Sequence, residues 1–167
     1  MLFGLTLGFP VTFVAIHWVG QRAQEPPSDA AMLKHFKKHS GTFETLIGMT
    51  GADKALTRVD WNWTMPADLQ SIGVSSERLA TYHTLLREAG MPRGFQRSQD
   101  QLEVDFLFWL RGSAVSDDET KGFAYRSSPP PSLLSTLDDI RIESRDYWIA
   151  YRHIRDNWYL FYEFVPD

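Results

Sequence analysis

The sequence predicts an α+β fold: an N-terminal transmembrane helix, then two helices packed on an antiparallel β-meander of three to four strands. Three observations predict it. The chain opens on eighteen residues, Leu2 to Val19, without one formal charge. Between Ser28 and Gly90, apolar residues recur at spacings of three and four in two separate runs. After Gly94 the spacing becomes two. The bulk composition agrees, because 167 residues at 43% hydrophobic and 23% charged suffice for one folded domain with a core. A net charge of -4 has the wrong sign for neutralising phosphates, so no nucleic-acid partner is expected. The chain has no cysteine, which removes disulfides, thiolate metal sites, a cysteine nucleophile and a lipid-modified cysteine.

The first element is the uncharged segment. At 1.5 Å per residue, Leu2 to Val19 spans about 27 Å, against a hydrocarbon layer of roughly 30 Å. No Lys or Arg precedes it, and Trp18 to Arg22 make a poor cleavage site, so it reads as an anchor rather than a signal peptide. Trp18 suits the membrane interface, and Pro10 and His17 are tolerable within a span. The chain then divides into an anchor (1–20), a polar linker stiffened by Pro26 and Pro27 (21–27), and a single α+β domain (28–167).

Ser28 reads as the N-cap of a first helix, with Leu33, Phe36, Ser40, Phe43 and Ile47 on one stripe and Gly48 and Gly51 at its end. From Thr50 to Gly73 no period is sustained; a short strand near Val59 to Thr64 is the most regular reading. Asn62-Trp63-Thr64 matches the N-glycosylation sequon, a three-residue pattern that a half-buried strand explains as well. The second helix starts at the cap Ser75, lines up Leu79, Tyr82, Leu85, Leu86 and Ala89, and stops at Gly90. In the alternating run from Leu102 to Arg111, Leu102, Val104, Phe106, Phe108 and Leu110 form one apolar face. Ser113 to Thr120 reads as an acidic turn, Lys121 to Arg126 as a partner strand, and Pro129 to Pro131 as a loop brace. Tyr147 to Arg155 and Trp158 to Val165 are the last two strands, joined by a tight turn at Asp156 and Asn157.

No GxxxxGK[ST], GxGxxG or GxSxG pattern occurs, so no cofactor is expected and no nucleophile elbow is supported. His35 and His39 have the i, i+4 spacing of a metal pair but lack a third ligand, and Asp117, Asp118 and Glu119 diverge on a turn, so no metal is expected. The aromatic C-terminal run is where binding is expected, with Tyr151, His153, Trp158, Tyr159 and Tyr162 as candidates on a sheet face left open by the helices. Arg152, His153 and Asp156 hold the ingredients of an acid–base set. Alternation, however, puts His153 with Tyr147, Ile149 and Tyr151, and Arg152 with Trp148, Ala150 and Ile154, so no catalytic residue is assigned.

The ending YRHIRDNWYLFYE, the opening PPSDAAMLKHFKKH and the helix GVSSERLATYHTLLREAG together resemble a family of small, functionally uncharacterised bacterial envelope proteins of lipoprotein-like type. The resemblance, from Pro26 onward, implies export and the α+β domain but no activity. The expectation is a single-pass bacterial inner-membrane protein that meets the lipid bilayer through residues 2–19. Its main domain is expected in the periplasm, since a span with a tiny leading tail usually carries the chain behind it across the membrane. Arg22, Lys34, Lys37 and Lys38 behind the span would, by charge alone, keep that domain cytoplasmic. The expected function is binding to another protein, as a non-catalytic accessory or immunity-type factor. The alternative is a hydrolase or carbohydrate-binding module acting on envelope polymers.

Overall fold

The computed structural model describes residues 25–113, 116–140 and 146–166. Ser28 starts helix α1 (Asp29–Ala52) by accepting the Ala31 N–H at 3.3 Å, and Asp29 stands in the first turn, where the helix dipole favours a negative charge. The helix continues through Gly48 and Gly51, the residues expected to end it. Met49 and Thr50 are buried in the next turn, and that packing outweighs the cost of Gly48 and Gly51, about 1 kcal/mol each. Helix α2 (Ser76–Glu88) is capped by the Ser75 hydroxyl, 3.2 Å from the Arg78 N–H. Asp53, just beyond α1, accepts from Arg78 Nε and the Tyr82 hydroxyl, both at 2.8 Å, and so ties the two helices together.

His39 interrupts α1 with φ -112° and ψ 15°, where its ring lies 4.6 Å from that of His35. Loss of hydration, then the nearby His35 and Lys38, hold the His39 imidazole below its ordinary value of 6.5. The folded state therefore resists a proton that the unfolded chain accepts. This contribution is complete above 6.5 and is lost as pH falls through the lowered folded value. The melting temperature should fall on acidification through that range, and His39→Asn should flatten the fall. A variant that melts in parallel with the parent at every pH would remove this role.

The strands are β1 (Arg58–Val59), β2 (Thr64–Met65), β3 (Phe95–Arg97), β4 (Val104–Ser113), β5 (Ser116–Tyr125), β6 (Trp148–Arg155) and β7 (Trp158–Val165). They form one antiparallel sheet in the order β2-β1-β3-β4-β5-β7-β6. Asp156 takes the positive φ, 43°, that the β6–β7 turn requires. Helix α1 lies on one face, where the Phe43 ring meets Phe123 at 5.1 Å, Phe106 at 5.2 Å and Trp158 at 5.6 Å. On the other face Leu107, Ala124, Tyr151, Tyr159 and Phe161 make a smaller cluster.

The fold class changes in two respects. The sheet has seven strands rather than three or four, because β1, β2 and β3 are only two or three residues long, too short to show a period in sequence. No helix among the described residues is long and apolar enough to cross a membrane, so the expected transmembrane helix and single-pass inner-membrane location are not supported. Leu2 to Val19, on which that location and the bilayer contact rested, lie outside the described residues. Two local expectations change as well. A bulge moves the β4–β5 register from Leu107↔Gly122 to Trp109↔Lys121, so that Phe108 and Trp109 both pack toward the helices while Leu110 is exposed. Asp118 to Thr120, expected in a turn, are paired in β5, and Glu119 there accepts from Arg111 and the Tyr162 hydroxyl.

Candidate binding cleft

The described aromatic candidates from the C-terminal run are divided between the two sheet faces. Trp158 and Tyr162 belong to the core beneath α1, and Tyr151 and Tyr159 to the cluster on the opposite face; all four are buried. His153 is exposed, its ring against Tyr159 at 5.2 Å and its Nε2 3.0 Å from the backbone carbonyl of Asp156. Tyr151 offers little surface, being 7% exposed, and its hydroxyl accepts at 3.1 Å from the Arg126 guanidinium, which also holds Asp105. Burial raises the Asp105 carboxyl above its ordinary value, with Arg126 pulling the other way. His35, one of the two histidines weighed as a metal pair, has Nε2 2.7 Å from the Ala89 carbonyl, so that nitrogen is committed to α2's end.

A cleft of about 440 Å³ opens elsewhere, between the β1–β2 turn, α2 and the segment leading into β3. Its floor is set by chain geometry. Gly90, with φ 67°, ends α2, and the Met91 N–H turns back to the Leu86 carbonyl at 2.8 Å, placing both apolar side chains in the lining. Gly94, with φ 65°, lets β3 pass β1 so closely that a Cβ would lie 1.7 Å from the Val59 carbonyl oxygen. Pro92 and Trp61 complete the apolar wall.

The polar lining is lopsided. Asp60 has a side chain 1% exposed, and its carboxylate is already taken by Arg58 at 2.9 Å and the Trp61 N–H at 2.7 Å, with Arg93 at 4.0 Å. His83 Nε2 lies 3.0 Å from the Asp60 carbonyl, and as a carbonyl only accepts, that nitrogen carries the proton. The imidazole thus meets a backbone oxygen and not the carboxylate, so this His and Asp do not form an acid–base dyad. Arg87 and Arg93 line the rim. In a chain of net charge -4, this lining presents two arginines and a histidine against one neutralised carboxylate.

The hairpin beside the cleft carries three large exposed apolar groups. Trp61 is 68% exposed, Trp63 47% and Met65 57%. Arg58 joins them to the cleft: its guanidinium lies 5.3 Å from the Trp63 ring centroid, bonds Asp60, and reaches the Arg93 carbonyl at 3.4 Å, while its Cα pairs with that of Met65 across the ladder. No period marks this stretch in the sequence, which is why periodicity does not find it. The signal present is two tryptophans, two residues apart, in a segment with no apolar stripe to bury them. Comparison of the chain with family models, with curated proteins and with solved structures finds no match.

Proposed function

We propose that this chain is a non-catalytic protein-binding domain, an accessory or immunity-type factor that takes its partner on the β1–β2 hairpin and the adjoining cleft. The observation that carries the reading is the exposure of Trp61, Trp63 and Met65 together on one short hairpin. Tryptophan and arginine are the residue types most enriched where binding energy concentrates, and here they lie side by side around a preformed concavity. Trp61 and Trp63 lie in the turn between the two-residue strands and Met65 on β2, and exposed apolar groups gathered in this way suit cover by a second molecule.

The test is photo-crosslinking in the native host, with the photoreactive residue placed at Trp61, at Trp63, and as a control at Val165, an exposed apolar residue on β7. A discrete adduct from both hairpin positions and none from the control is expected. With the captured protein purified, the double variant Trp61→Ala/Trp63→Ala should weaken the complex roughly thirtyfold or more. Its unfolding free energy should change by no more than about 0.5 kcal/mol, because exposed side chains contribute little to the fold. Equal adducts at all three positions, or binding unchanged in the double variant, would overturn the proposal.

A further inference from the structure

Resting on that reading, we infer that the partner's contact segment is acidic and aromatic: a ring seats in the cleft against Trp61, Leu86 and Met91, and a flanking carboxylate meets Arg87 and Arg93. Charge complementarity argues for the carboxylate. Arg87 makes no ion pair among the described residues, and Arg93 only reaches Asp60 at 4.0 Å, a carboxylate that Arg58 already neutralises. The walls argue for the ring, since Trp61, Leu86, Met91 and Pro92 all line the cleft and the Trp61 indole is available for stacking. A small anion held inside the cleft would leave Trp63 and Met65 in water, whereas a polypeptide continuing along the hairpin covers them.

Amide and indole resonances of the isotope-labelled full chain are followed during titration with acetylated, amidated peptides. The probes are Glu-Glu-Trp-Glu-Glu, Glu-Glu-Ala-Glu-Glu and Lys-Lys-Trp-Lys-Lys, together with adenosine monophosphate. The acidic tryptophan peptide should shift the Trp61 indole, His83 and Gly94, with an affinity that falls as salt is added. Replacing its tryptophan by alanine, or Arg87 by glutamine in the protein, should weaken binding roughly fivefold. Arg87 is exposed, so a circular dichroism spectrum matching the parent's is expected from the variant. Preference for the lysine peptide, stronger shifts from the nucleotide, shifts remote from the cleft, or no shifts at millimolar peptide would each overturn the inference. The protein-binding reading fails separately, on equal crosslinking at all three positions or on binding of the captured protein left unchanged by the double variant.

Discussion

Phe106→Ala should lower the free energy of unfolding by about 3–5 kcal/mol, measured by urea or guanidinium denaturation. The ring is fully buried and touches three separate elements: Phe43 of α1 at 5.2 Å, Phe95 of β3 at 6.1 Å and Trp158 of β7 at 6.0 Å. Its removal loses the transfer free energy and leaves a cavity that α1 and the sheet cannot both move to fill. A domain of this size holds some 5–15 kcal/mol in total, so this one change takes a large share. Phe108, at the bulge and only half-buried against His35, should cost distinctly less when replaced by alanine. Equal losses at the two positions would mean that the bulge is misplaced and that β4 alternates without interruption.

How much the residues alone reveal depends on the reach of their patterns. Ser28 and Ser75 are caps because a short hydroxyl side chain must meet a free N–H three residues on, a relation complete within four consecutive residues. Strand β6 was legible for the same reason: Ala150 and Arg152 face α1 and Tyr151 faces away, as strict alternation demands. The bulge at Phe108 was not legible, since no residue type obliges a strand to carry one. The cleft was less so, because Asp60, His83, Arg93 and Gly94 come from three separated stretches and meet only when β1, α2 and β3 are in place. The aromatic C-terminal run drew attention by density, yet dense aromatics on central strands are what a core of this kind consumes, and the described Trp158, Tyr159 and Tyr162 are buried. Trp61 and Trp63 sit where the pattern is poorest, and poor pattern is itself a reason for a large side chain to remain outside.

Asp29→Asn should destabilise the domain by about 3–5 kcal/mol at neutral pH, because it breaks a buried ion cluster on one side only. The Asp29 and Lys121 side chains are each 1% exposed, and Lys121 Nζ lies 2.8 Å from Asp29 Oδ1 while donating to the Pro27 carbonyl at 2.8 Å and to Asp138 at 3.2 Å. Asp29 Oδ2 accepts from Arg152 Nη1 and from the Leu137 N–H, each at 2.8 Å. One carboxylate thus fastens the start of α1 to β5, to β6 and to the segment before β6. Burial by itself would raise its proton affinity, but Lys121, the Leu137 N–H and Arg152 together outweigh that and hold the group below its ordinary 3.8. A carboxylate lowered in this way stabilises the fold at every pH above the ordinary value, and its contribution disappears as pH falls through the folded one. The gap between parent and Asp29→Asn should therefore be widest at neutral pH and close below 3.8. Lys121→Met added to Asp29→Leu should recover part of the loss, since two apolar groups leave no ammonium buried without its partner. A gap that stayed constant across the acid range would show that the loss comes from packing at the helix start and not from the charge of Asp29.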